Sequence, residues 1–123
     1  MKITTFNPMI ITKDSESIIN LFQDLGFEIR HEKSGLNDED ITDVRMKDAN
    51  GNHIDVVQLE RVPQDIMQIR MNVDDFDEAY ELLTAHGFKN TQGDKISESP
   101  SGKGTSMISP SGFLIALSQH KKK

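Results

Sequence analysis

The feature that most constrains this chain is a repeat that a single offset of 61 positions brings into line. It pairs Asp14 with Asp75, Leu21 with Leu82, Gly26 with Gly87, Phe27 with Phe88, Met46 with Met107, Gly51 with Gly112, Ile54 with Ile115 and Gln58 with Gln119, without a gap. Independent folds would need a different shift at each landmark. The matches also fall where backbone geometry restricts choice: a helix cap, a helix stop, a hairpin glycine and core strand positions. A chain of this kind folds as two copies of one unit, residues 1–61 and 62–123.

Each copy has a readable order. "ITTFNPMIIT" is rich in β-branched and apolar residues and reads as a strand. In the following "KDSESIINLFQDLGF", Ile18, Ile19, Phe22 and Leu25 recur at helical spacing, with Asp14 or Ser15 able to cap the start and Gly26 suited to the stop. "FEIRHEK" and "ITDVRMKD" read as strands, "ANGN" as a hairpin turn and "HIDVVQLE" as the returning strand. The second copy restarts with "IMQIRMNV" and a helix carrying Phe76, Ala79, Tyr80 and Leu83 on one face. Its middle, "KNTQGDKISESPSGKGTSMI", is polar and rich in Gly and Ser, so a mobile loop with a poorly marked strand is expected before the closing hairpin. The expected fold class is α+β, a tandem βαβββ arrangement.

At 123 residues the chain can bury a core without a disulfide or structural metal. The absence of Cys removes thiol catalysis and thiolate metal sites. A net charge of -6 disfavours attraction to nucleic acid and slightly favours cationic small molecules. No apolar run is long enough for a membrane span and the N-terminus does not read as a signal peptide, so a cytoplasmic protein without membrane or nucleic-acid partners is expected. "SGKGTS" lacks the spacing of a phosphate loop, no G-x-S-x-G occurs, and "DEDITD", from Asp38 to Asp43, reads as a solvated acidic turn. The final three lysines read as a solubilising tail.

A tandem βαβββ unit of this length, with helix stops written "LGF" and "HGF" and a hairpin written "DANGN", resembles the vicinal oxygen chelate superfamily, which includes glyoxalase I, extradiol dioxygenases and bleomycin-resistance proteins. The resemblance covers essentially the whole chain. It implies curved mixed sheets around a central cleft, helices outside, and a homodimer. It also implies four positions at which relatives hold a divalent metal: Asn7 and Gln68 on the first strand of each copy, Asp55 and Ala116 on the last.

That set offers one carboxylate, two neutral amides and a methyl group. A divalent cation needs several anionic or strongly donating groups, so no cofactor or conventional metal is expected. The function expected is binding of a small molecule in the cleft, as in bleomycin-resistance proteins, with a glyoxalase-type lyase or isomerase using Asp55, Gln68 and His53 as the enzyme alternative. A structural or interaction module is the third. Strand alternation places His53 on the same face as Asp55, so that the two could act as acid and base, and places Ile54 and Val56 toward the helix. Arg70 shares a face with Gln68, while the facing of Arg45 is open. Either arginine could bind an anion or pair with Asp55. His31, His86 and His120 are expected in solvent.

Overall fold

The computed structural model describes residues 1–34 and 42–120, and the side chains of residues 33 and 34 are set aside. The terminal lysines lie outside these residues, as does the part of the expected acidic turn up to residue 41. In chain order the elements are β1 (Ile3–Thr12), α1 (Ser15–Asp24), β2 (Glu28–Ser34), β3 (Thr42–Lys47), β4 (His53–Gln58), β5 (Ile66–Val73), α2 (Phe76–Ala85), β6 (Lys89–Asn90), β7 (Ser97–Ser99), β8 (Gly102–Ile108) and β9 (Leu114–His120). They form two compact units. One, the Asp55 unit, is Asn7–Met67; the other, the Ala116 unit, joins Met1–Phe6 to Gln68–Lys123.

In the Asp55 unit the strand order is β2-β3-β4-β1. β2, β3 and β4 are antiparallel neighbours and β1 lies parallel to β4. The helix begins where the sequence marks it: Asp14 accepts a hydrogen bond from the Ser17 N–H at 3.3 Å, which satisfies one of the unpaired donors of the first turn. It ends at Gly26, whose φ of 103° is one a side chain would resist. Between these limits Ile18, Ile19 and Phe22, with Phe27 just beyond, pack on Val44, Met46, Ile54 and Val56. The four strand side chains are buried and contribute about 1.5–3 kcal/mol each, and the half-buried helix residues less. Among the described residues the opposite face of this unit's sheet carries no helix, and polar residues collect there.

The Ala116 unit repeats the plan. Its order is β1-β5-β9-β8-β6, with β7 paired to β8, and only the first residues of β1 belong to it. Asp75 caps α2 through the Glu78 N–H at 3.1 Å and Gly87 stops it at φ 90°. Phe76, Ala79, Tyr80 and Leu83 of the helix, with Phe88, pack on Met71, Val73, Met107, Ile115 and Leu117. β5 and β9 pair in parallel with Arg70 opposite Ala116, the register that Met9 and Asp55 keep between β1 and β4.

Two details go beyond the sequence reading. The Gln58 side chain accepts from the Ser15 N–H at 2.8 Å and the Gln119 side chain from the Phe76 N–H at 2.7 Å, so in each copy the last strand ties down the helix start through equivalent atoms. The Gly/Ser-rich stretch, expected as a mobile loop with a poorly marked strand, contains β6, β7 and β8. Its glycines act as close-approach residues: a Cβ on Gly102 would lie 2.3 Å from the Gln119 carbonyl oxygen, and one on Gly104 3.0 Å from that of Leu117. Glycine in a strand is read from sequence as a breaker, but here it lets two backbones pair.

Candidate functional site

On the helix-free face of the Asp55 unit, pairing aligns Met9, Asp55, Arg45 and His31 across β1, β4, β3 and β2. Directly paired residues share a face, which settles the facing of Arg45: it lies beside Asp55. The register shift between Ile29 and His31 is what brings His31 opposite Arg45, because an extra residue in one strand reverses the faces beyond it. His53 lies one step along the same face, exposed, opposite Lys47.

Asp55 is fully buried. Its Oδ1 accepts a hydrogen bond from Asn7 Nδ2 at 2.9 Å, and Arg45 Nε stands 3.9 Å from the same oxygen, close enough for attraction and too far for a hydrogen bond. The other partner is Asp43, on β3 opposite Val57, whose side chain hydrogen-bonds to Asp55. Two carboxyl groups can share a hydrogen bond only if one carries the proton. Burial first, then the hydrogen bond that protonated Asp55 donates to Asp43, and the Asp43 charge, push the Asp55 pKa up to about 8, against the opposing pull of Asn7 and Arg45. At neutral pH the group is largely a neutral acid.

The Ala116 unit carries a different set on the corresponding face. Gln68, Arg70 and Asn72 of β5 are all buried. Ser106 Oγ donates to Gln68 Oε1 at 3.4 Å and Ser118 Oγ donates to Asn72 Oδ1. Opposite Arg70, Ala116 contributes its methyl group. Comparing equivalent positions, the pair Met9 and Asp55 of one copy is Arg70 and Ala116 in the other, so an acid on the last strand is replaced by a base on the first.

The sequence-predicted residues therefore fall into two groups, each within one unit: Asn7, Arg45, His53 and Asp55, and Gln68, Arg70 and Ala116. Ile54 and Val56 meet the helix as expected, and His31, His86 and His120 are exposed. One reading is corrected. Asp43 is not part of a solvated acidic turn but a half-buried residue of β3 bonded to Asp55. The signal was available, since Asp43, Arg45 and Lys47 alternate with the apolar Val44 and Met46, the period of a strand with one polar face.

A divalent metal held as in metal-dependent relatives does not fit these residues. Ala116 has no donor atom, Asn7 and Gln68 offer only neutral amide oxygens, and Asp55 is the single carboxylate of the set. What remains is too little negative charge to replace a cation's hydration.

The profile of the Glyoxalase/Bleomycin resistance protein/Dioxygenase superfamily matches residues 4–117. The chain belongs to this superfamily. Solved structures agree in fold. Methylmalonyl-CoA epimerase from Mycobacterium tuberculosis superposes with a TM-score of 0.73 at 17% identity, covering 98% of this chain and 90% of the epimerase. A glyoxalase I variant from Zea mays gives 0.71 at 15% identity over 98% of this chain and 44% of the plant chain. A glyoxalase/bleomycin resistance protein/dioxygenase superfamily member from Vibrio splendidus 12B01 gives 0.63 at 19% identity, covering 98% and 100%. At such identities the likeness establishes the fold and not the activity. No curated protein matches the sequence. Among the described residues, no helix is long and apolar enough to cross a membrane.

Proposed function

We propose that this protein is a cytoplasmic, metal-independent member of its superfamily that binds a small molecule against the helix-free face carrying Asp55, and that it does so as a homodimer. The observation that carries the reading is the state of Asp55. At a position where relatives place a charged metal donor, this chain has a buried acid satisfied by Asn7 and Asp43. A fixed polar group of that kind, in a wall that includes Met9 and Val57, suits recognition of a small organic molecule. Support for self-association comes from large apolar side chains left in solvent, including Leu21 and Leu25 one turn apart at the end of α1.

Protein purified without chelator should carry no stoichiometric transition metal, and its melting temperature should stay within about 1 °C on adding zinc, nickel, manganese or magnesium, while rising with some member of a small-molecule library. Stoichiometric metal with a melting rise of several degrees would overturn the reading. A second reading, a glyoxalase-type lyase or isomerase, draws on one observation: an acid with a pKa about 8 beside the exposed His53 is suited to proton transfer at neutral pH. Turnover of a 2-oxoaldehyde hemithioacetal that is lost in Asp55→Asn would favour it over binding alone.

A further inference from the structure

The charges of the Asp55 unit are sorted by face in a way that indicates the chemistry of the ligand. On the helix-free face β3 presents Arg45 and Lys47, and pairing sets His31 opposite Arg45 and His53 opposite Lys47. Four nitrogen-bearing groups thus run as a staggered line, His31, Arg45, Lys47 and His53, across three neighbouring strands, with Asp55 and Glu28 at its flanks. The acids of that face are fewer and mostly engaged. Asp43 and Asp55 are bonded to each other. Glu28 lies opposite Lys47, but its side chain is 75% exposed and pairs with Arg30 at 3.6 Å.

Arg45 is the member of the array left with unused capacity. Its Nε is buried and has no hydrogen-bond partner among the described residues. Asp55 Oδ1 stands 3.9 Å from it and already accepts from Asn7. Almost a third of the side chain remains accessible. A buried donor without an acceptor is uncommon because it costs folding free energy, and a guanidinium fork is shaped to receive two oxygens at once. The net charge of -6 makes a local cluster of this sign stand against the chain's general field.

We infer that the small molecule is an organic anion whose carboxylate or phosphate group is taken by Arg45, with Lys47, His53 and His31 around it and the apolar Met9 and Val57 beside its carbon body. This rests on the binding reading above and deepens it. It also departs from the weak preference for cations that net charge alone suggests.

The test is a titration of nitrogen-15 labelled protein with four probes of one chain length at matched ionic strength: hexanoate, hexyl phosphate, hexanamide and hexylammonium. One or both anions should shift the amides of β3 and β4 saturably, the tighter of the two naming the head group, while hexylammonium should not. Arg45→Gln should weaken the anion by about tenfold to a hundredfold, and Arg45→Lys, which keeps the charge and loses the fork, by less. The same spectra show whether each variant is folded. If Arg45→Gln does not fold, Lys47→Gln, at the half-buried end of β3, serves, with a several-fold loss expected and an unchanged affinity counting against the inference. Hexylammonium binding as tightly as hexanoate, or hexanoate unaffected by Arg45→Gln, overturns the anion while leaving small-molecule binding in place. No response to any of the four, hexanamide included, overturns both.

Discussion

Replacing Asp55 by Asn should flatten the dependence of stability on pH. In the folded chain the Asp55 pKa is raised from 3.8 to about 8. Below about pH 4 the carboxyl is protonated whether the chain is folded or not, and the group adds no pH dependence. Between about pH 4 and pH 8 the unfolded chain releases this proton while the folded chain keeps it, so stability falls as pH rises, at up to about 1.4 kcal/mol per unit. Over pH 5 to 8 that slope amounts to about 4 kcal/mol, and because the proton is shared with Asp43 the expected loss is about 2–4 kcal/mol. Asn keeps a hydrogen-bonding side chain of the same shape and has no proton to lose. The variant should therefore lose less than half as much over the same range and match or exceed the parent at pH 8. Urea unfolding followed by far-ultraviolet circular dichroism at four pH values measures this, a suitable probe in a chain with no Trp and a single Tyr. Parallel curves for parent and variant, or a parent whose stability does not fall from pH 5 to 8, would refute the account of Asp55 as a buried protonated acid.

Other substitutions test the frame that holds this site. Gln58→Ala and Gln119→Ala each remove a side-chain acceptor from a helix start and should cost about 1 kcal/mol apiece in chemical denaturation; a null effect in both would deny the shared tie a structural role. Met46→Ala empties a position with no solvent exposure under α1 and should cost about 2–5 kcal/mol by the same measurement. Gly102→Ala would place a methyl group 2.3 Å from a carbonyl oxygen of β9 and should lower the melting temperature by several degrees, whereas an unchanged melting point would mean that the two strands part without cost.

Much of the frame was legible in the sequence because it rests on local rules. Asp14, Asp75, Gly26 and Gly87 announce helix ends by chemistry that needs no tertiary context, and the 61-residue offset carries them from one copy to the other. Alternation separated Ile54 and Val56 from Asp55, and the family resemblance chose which of the two faces met the helix. The site was harder, because its contents depend on which strand pairs with which and in what register. Arg45 could not be placed until its pairing with Asp55 was known, and His31 reaches the same face only through a strand irregularity that no composition rule marks. Asp43 was hidden differently, in a run of acids that reads as solvated turn although its last member already follows the alternation of β3. Gly102 and Gly104 misled for a related reason: the same residue that breaks a lone strand permits two strands to approach.

The central claim is that Asp55 is a protonated hydrogen-bonding acid and not a metal donor. Carbon-13 detection of the Asp55 carboxyl from pH 4 to 10, with and without an equivalent of zinc or nickel, tests it most directly. The account predicts an apparent pKa near 8 that either metal leaves unchanged. An Asp55 already ionised at pH 6, or one whose titration collapses to lower pH when one equivalent of metal is added, would contradict it.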